Sequence, residues 1–348
     1  GHIGADHPCA AGREVRFGPV PLALAQGAVL AHSLALPDGR LRKGCTLGPS
    51  EIARLRAAGV AEVVVAQPDP ADMPEDDAAL AVARALVPAD AGLSLRAVGT
   101  GRVNIVADGP GLVALDAPAV HAVNAVDPAI TLATLPPLMR VERGTMVATV
   151  KIIPYAVAGK AVQQAAQAAT DALRLRRPVI ARAALILTRA GGADPGEKGA
   201  RVTQDRLARL GVAMDRARLV DHKTDALADA LRATDAPLVL ILTGSATSDM
   251  HDTAPEALRR AGGQVAHFGM PVDPGNLLFL GDLNGRPVIG LPGCAKSPAL
   301  NGADWVMERI ICGLTVTASD IMAMGVGGLL AEIPSRPRPR RQGEGGAQ

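Results

Sequence analysis

The chain has 348 residues, 48% apolar but only 1% aromatic, and 36 Lys and Arg stand against 34 Asp and Glu for a net charge of +2. That length asks for two or three domains with cores of Ala, Val, Leu and Ile; the balanced charge and missing rings exclude a nucleic-acid or membrane-surface binder, which needs a basic footprint or stacking platforms. Cys9, Cys45, Cys294 and Cys312 form no Cys-x-x-Cys pair and no stretch reaches ~20 apolar residues, so zinc motif, disulfide framework and membrane span are all excluded and a reducing, cytoplasmic compartment is expected.

Residues 1–14 read as a tag or a disordered end, and residues 15–155 as a smaller mixed α+β unit with a barrel-like texture. A short helix over Pro21–Gln26, a strand over Ala28–Leu34 and a turn at Pro37-Asp38-Gly39 lead to a well-punctuated helix. Gly48 serves there as N-cap, Pro49 takes the first helical position, Glu51 suits the positive helix end and Gly59 stops the last turn. Val60–Ala66 reads as a strand, the acidic, proline-bearing Gln67–Asp77 as a linker and Asp77–Val87 as a helix. Strands follow at Leu93–Val98, Val103–Ala107, Leu112–Leu115, Ile130–Leu135 and Met146–Ile153, with a helix at Ala119–Val126. A helix over Gly159–Leu173, rich in Ala and Gln, connects through residues 156–176 to the next unit.

From 177 to 313 strands and helices alternate as in βαβ units. Strand Ala183–Leu187 runs into a loop, Thr188 to Gly199; helix Arg201–Leu210, strand Arg218–Val220 and helix Thr224–Ala233 follow. Three apolar strands then end in loops of small residues. Leu238–Leu242 runs into Thr243-Gly244-Ser245 and on to Asp249 and Asp252, before a helix near Thr253; Gln264–Phe268 leads to Pro274-Gly275-Asn276; Pro287–Gly290 leads to Pro292-Gly293 and Lys296-Ser297, with a further helix expected after Ser297. Such strands imply a mostly parallel sheet covered by helices on both faces, a three-layer α/β/α domain, with ligands bound outside the strands' carboxyl ends. A short helix near Ala318–Ala323 belongs to an extension over 314–333, and the Pro/Arg/Gly-rich 334–348 reads as a disordered tail.

Residues from about Ala183 to Asp304 resemble the molybdopterin-binding domain shared by molybdopterin adenylyltransferases and molybdenum insertases. The resemblance rests on Thr243-Gly244 with an Asp nine positions after the Thr, at Asp252; on Pro274-Gly275; and on Leu291-Pro292-Gly293, with Asp221 also suiting the pattern. Lys43-Gly44-Cys45-Thr46-Leu47 through Gly59-Val60 looks like the cassette that precedes this domain in the insertases, although about 115 residues intervene here. The chain departs from the family at Ser245, where a second Gly is usual, and at Asn276, where the insertases carry Lys. Its first loop, Thr188-Arg189-Ala190-Gly191-Gly192, lacks the usual acidic residue, while Lys296 agrees with the adenylyltransferase form.

The resemblance implies molybdopterin as ligand, held by Thr243, Gly244, Ser245, Pro274, Gly275, Asn276, Pro292, Gly293, Lys296 and Ser297. It implies Asp252 and Asp249 as catalytic and Mg²⁺-holding carboxylates in nucleotide-dependent activation or molybdenum insertion, a transferase chemistry. Plain helix capping explains Asp252 equally well, with Asp249 solvated. The alternative from another class is a non-catalytic molybdopterin carrier serving a nucleotidyltransferase domain or partner through the C-terminal tail; a nucleotide hydrolase on the same fold is a third. No nucleic-acid or membrane partner is expected, and a homo-oligomer is.

Overall fold

In the computed structural model, which describes residues 16–191 and 196–330, the chain divides into two units, residues 1–109 with 113–175 and residues 110–112 with 176–348. The tag or disordered end expected at 1–14, the tail at 334–348 and Gly192 of the first loop lie outside the described residues.

The first unit opens with β1 (Arg16–Pro21), a 3-10 turn at Leu22–Leu24, β2 (Val29–Leu30) and the hairpin of β3 (Leu34–Leu36) and β4 (Gly39–Leu41). α1 (Pro49–Ala57) follows as its punctuation demands: Pro49 opens it, Glu51 accepts the Gly48 N–H at 3.0 Å, and Gly59 leaves it at φ +76°. β5 (Glu62–Gln67) pairs antiparallel with β1 and β2, and Leu30, Leu47, Leu55 and Val65 are buried together there.

The chain continues with β6 (Asp72–Pro74), α2 (Glu75–Leu86), β7 (Leu93–Gly99), β8 (Arg102–Ala107), β9 (Gly111–Leu115, its first two residues counted with the second unit) and α3 (Ala117–Val126). Then come β10 (Ile130–Thr134), β11 (Arg140–Val141), β12 (Met146–Ile152), β13 (Ala156–Ala158), α4 (Gly159–Ala169) and β14 (Leu173–Arg176). The antiparallel sheet β10-β12-β8-β7 turns Val103, Ile105, Val150 and Ile152 inward onto Val82 and Leu86 of α2, Val123 of α3 and Val162 of α4. Its alternate residues, Asn104, Thr149 and Lys151, are only half-buried, the period of two that an antiparallel sheet requires.

Two expectations change here. Among the described residues no sheet closes into a barrel; β11-β9-β14 forms a separate three-stranded sheet. The helix expected over Gly159–Leu173 ends at Ala169, because Asp171 turns the chain at φ +55° and Leu173-Arg174-Leu175-Arg176 alternates buried and exposed as a strand.

The second unit is built on β15 (Arg182–Arg189), α5 (Glu197–Ala208), β16 (Ala213–Met214), β17 (Arg218–Asp221), α6 (Thr224–Arg232) and β18 (Val239–Leu242). After these come α7 (Thr253–Arg260), β19 (Gln264–Phe268), β20 (Phe279–Leu283), β21 (Arg286–Leu291), a 3-10 turn at Gly293–Lys296, α8 (Gly302–Ile311) and α9 (Ala318–Met322). One seven-stranded sheet runs β16-β15-β18-β21-β20-β19, with β17 also on β15. β15 through β18 and β21 pair in parallel, and β20 pairs antiparallel with both its neighbours.

Leu185, Leu187, Leu240, Leu242, Ile289 and Leu291 are buried with Leu207 of α5 and Val306 and Met307 of α8. Ile186, Val239, Ile241 and Val288 are buried with Leu227 and Leu231 of α6 and Ala257 and Leu258 of α7. Strands covered on both sides read as unbroken apolar runs, which is why these were visible in the sequence. α8 begins later than expected, at Gly302 instead of directly after Ser297. Its start is set by a capping box in which Asn301 accepts the Ala303 N–H and Asp304 accepts the Asn301 N–H, both at 2.9 Å.

Candidate functional site

Parallel pairing of Ala184–Leu187 with Val239–Leu242, and of Val239–Leu242 with Val288–Leu291, sends three chains out of the same sheet end side by side. Thr188, Thr243-Gly244 and Pro292–Lys296 therefore emerge together. Between them lies a cleft of ≈ 280 Å³, whose wall includes Thr188, Ala190, Thr243, Gly244 and Lys296. Glycine is required at 244 by close approach: a Cβ there would sit 2.6 Å from the Thr188 carbonyl oxygen and 2.9 Å from the Ala190 nitrogen. Its N–H donates to Thr188 Oγ1 at 3.0 Å, and the Thr243 hydroxyl donates to the Ser245 carbonyl.

Lys296 is half-buried in the cleft wall, its stem beside Gly199 of α5, where an added Cβ would lie 3.5 Å from Lys296 Cγ. The loop that carries Lys296 is held from beneath by Arg206 of α5. That guanidinium donates to Asp304 Oδ1 at 2.6 Å and to the carbonyls of Ala295, Ser297 and Ala299 at 2.7, 2.7 and 2.9 Å. The planar fork of Arg suits such a divided task, which Lys could not perform.

A second cleft, of ≈ 520 Å³, shares Arg189, Ala190 and Gly191 with the first and adds Asp221, His222 and Lys223. Register explains it: Thr188 lies opposite Val220 and Arg189 opposite Asp221, so His222 leaves β17 beside Thr188. His222 Nδ1 and Thr188 Oγ1 are 2.8 Å apart. Arg189 and Asp221 form an ion pair at 3.1 Å with both side chains more than half exposed, a pair that contributes little stability.

Asp252 caps α7. Its Oδ1 accepts the Thr253 N–H at 2.7 Å and its Oδ2 accepts the Ser248 N–H at 2.9 Å, while Asp249 Oδ1 accepts the His251 N–H at 2.7 Å. The Ser248 N–H holds the Asp252 carboxyl below the usual carboxylate value, helped by the Thr253 N–H and the charge of His222 and opposed by burial.

Of the residues expected at the site, Thr243, Gly244 and Lys296 share one cleft. Pro292 is buried and Gly293 exposed at the start of the Lys296 turn, and Ser245 and Ser297 are exposed beside their loops. Asp249 and Asp252 line neither cleft. Pro274, Gly275 and Asn276 also lie apart from both, packed on the start of α8. The Pro274 carbonyl accepts the Gly302 N–H at 2.8 Å, a Cβ on Gly275 would meet that nitrogen at 2.6 Å, and Asn276 Nδ2 donates to the Met270 carbonyl at 3.2 Å.

Sequence reasoning passed over His222, Lys223 and Arg206. The first two follow a strand end as Thr243 does, a signal that was present; nothing local marks Arg206, whose partner Asp304 is 98 residues away. Among the described residues no group of three or more His, Cys, Asp or Glu is arranged to hold a metal ion. Mg²⁺ takes one or two carboxylates and completes its shell with ligand phosphates and water, so Asp252 and Asp249 fit it only together with a phosphorylated ligand.

A domain of unknown function, DUF8806, matches residues 19–67, within the first unit. No curated protein matches the chain. Among solved structures, the molybdopterin biosynthesis moea protein from Pyrococcus horikosii is 13% identical at a TM-score of 0.30, covering 86% of this chain and 75% of that one. The protein CinA, of unknown function, from Thermoplasma acidophilum is 15% identical at 0.29, covering 34% and 90%. A molybdopterin biosynthesis protein from Mycobacterium abscessus is 15% identical at 0.26, covering 37% and 88%. Likenesses this loose carry no argument about the site.

Proposed function

We propose that the second unit binds molybdopterin, the phosphorylated pterin dithiolene, in the cleft between the first loop, Thr243-Gly244 and Lys296, as a step in molybdenum-cofactor biosynthesis. The observation that carries this reading is the convergence on one cleft, at the strands' carboxyl ends, of Thr243-Gly244 from the sequence resemblance and of Lys296 from the turn that follows Leu291-Pro292-Gly293. The ligand phosphate lies against Lys296 and the N–H groups of the small-residue loops. The binding domain is residues 177–313, read as three-layer α/β/α because separate apolar clusters cover the two sheet faces. The compartment is cytoplasmic and the assembly a homo-oligomer; no helix among the described residues is long and apolar enough to cross a membrane.

The chemistry of this reading is nucleotide-dependent activation or molybdenum insertion, with Asp252 and Asp249 holding Mg²⁺ against the ligand phosphate. A second reading, a carrier that presents molybdopterin to a nucleotidyltransferase, is favoured by the engagement of both Asp252 oxygens and of the Asn276 amide in holding their own loops. Incubating the full chain with molybdopterin, Mg²⁺ and each nucleotide, followed by product analysis, separates the two. A nucleotide- or metal-bearing pterin product supports the enzyme; tight binding without product supports the carrier; no binding sinks both.

A further inference from the structure

We propose that His222 is a ligand-contacting residue of the second cleft, locked by Thr188 in the tautomer that presents its Nε2–H to a phosphate-class oxyanion. The idea deepens the binding reading above and rests on it for the ligand's charge.

The lock follows from the hydrogen-bond accounting at Thr188. Thr188 is only 4% exposed, and its Oγ1 already accepts the Gly244 N–H. A hydroxyl has one hydrogen to give, and burying it without an acceptor is costly. Among the described residues His222 Nδ1, at 2.8 Å, is the one acceptor within its reach. Nδ1 therefore accepts, and in the neutral ring the proton sits on Nε2. The backbone fixes the ring's root as well, because the His222 N–H donates to the Arg189 carbonyl at 2.9 Å. The chain of bonds runs from the Gly244 N–H through the Thr188 hydroxyl to His222, and so ties the second cleft to the loop that walls the first.

With Nδ1 occupied, Nε2–H is the group His222 has left for the ≈ 520 Å³ cleft it lines. The charged groups around the ring are Arg189 from β15, Asp252 at the α7 cap, and Asp221 and Lys223 on its own segment. Arg189 is paired with Asp221, which leaves Lys223 as the other cation lining the cleft with His222. A donor next to an ammonium group suits an oxygen of a phosphate ester.

The test is nuclear magnetic resonance of the full chain labelled with ¹⁵N-histidine, at a pH above the ordinary imidazole range, with the His222 signals assigned by their loss in His222→Phe. The proposal expects the Nε2–H tautomer in the wild type, a tautomer mixture in Thr188→Val, and a shift of the His222 signals as inorganic phosphate is added at constant ionic strength. His222→Phe should weaken phosphate roughly tenfold, and His222→Gln, which keeps an N–H near the Nε2 position, should restore most of it. A wild-type Nδ1–H tautomer, or phosphate that leaves the His222 signals unmoved, overturns the proposal. If phosphate binding then depends on Lys296 alone, the cleft reading survives while the role of His222 does not; a separate titration with molybdopterin tests that reading by itself.

Discussion

Among the described residues Lys296 and Arg189 are the two cations lining the inner cleft, and Arg189 is already paired with Asp221, so Lys296 supplies the free charge there. A charge-assisted hydrogen bond to phosphate contributes roughly 1.5–3 kcal/mol, so Lys296→Ala should weaken a phosphorylated pterin on the order of ten- to hundredfold. Titrations at two salt concentrations check this, since an unchanged affinity and salt slope would leave Lys296 without a role. Asp252 is a second case, where capping and chemistry compete for one side chain. Its folded carboxyl titrates below the ordinary carboxylate range, so its stabilisation is complete above that range and is lost as pH falls through the lowered folded value. Asp252→Asn keeps one acceptor for the loop, should cost about 1 kcal/mol at neutral pH, and should remove this part of the acid-side loss. Urea unfolding at neutral and acidic pH measures both effects. If Asp252 also holds Mg²⁺, metal-dependent turnover collapses in the same variant; if turnover survives, the residue is a cap alone.

Among the elements, α5 does more than cover the sheet, because Arg206 joins it to the turn carrying Lys296 and to the first turn of α8. Both members of the Arg206–Asp304 pair are about 95% buried, at 5% and 4% exposed. Arg206→Met leaves Asp304 buried without its cation and three carbonyls without donors, so unfolding free energy should fall by ~3–5 kcal/mol. A loss below about 1 kcal/mol in chemical denaturation would show that the loop holds itself. The sequence announced elements whose signals are local: α1 through Gly48, Pro49 and Gly59, α7 through Asp252, and β15, β18 and β21 through their apolar runs. It concealed β20, whose Phe279–Leu283 follows so closely on the Pro274-Gly275 loop that it reads as more loop, and β14, whose four residues sit against a helical pattern. The site divides in the same way. Loops after strands could be read from turn residues, whereas the Arg206 fork and the Thr188–His222 bond are tertiary events between residues 34 to 98 positions apart, invisible to periodicity.

At the scale of the molecule, two units of similar length each bury their own apolar clusters, and Cys312 reports on the second. The residue is 2% exposed and burial pushes its thiol up to about 12, so neither access nor ionisation favours reaction in the folded state. Alkylation of Cys312 at neutral pH should therefore proceed only through unfolding of that unit, and should slow with added ligand if the ligand binds there. Mass spectrometry of the labelled peptide follows it, and rapid labelling of the native chain would contradict the packing. The cleft itself lies entirely in this unit, on loops held by a rigid sheet, which is where a binding site gains precision without sacrificing the core. The most direct measurement is a crystal structure of the full chain with molybdopterin. The account predicts the pterin phosphate beside Thr188, Gly244 and Lys296 at the carboxyl ends of β15, β18 and β21; a pterin seated in the 93–153 region of the first unit would contradict it.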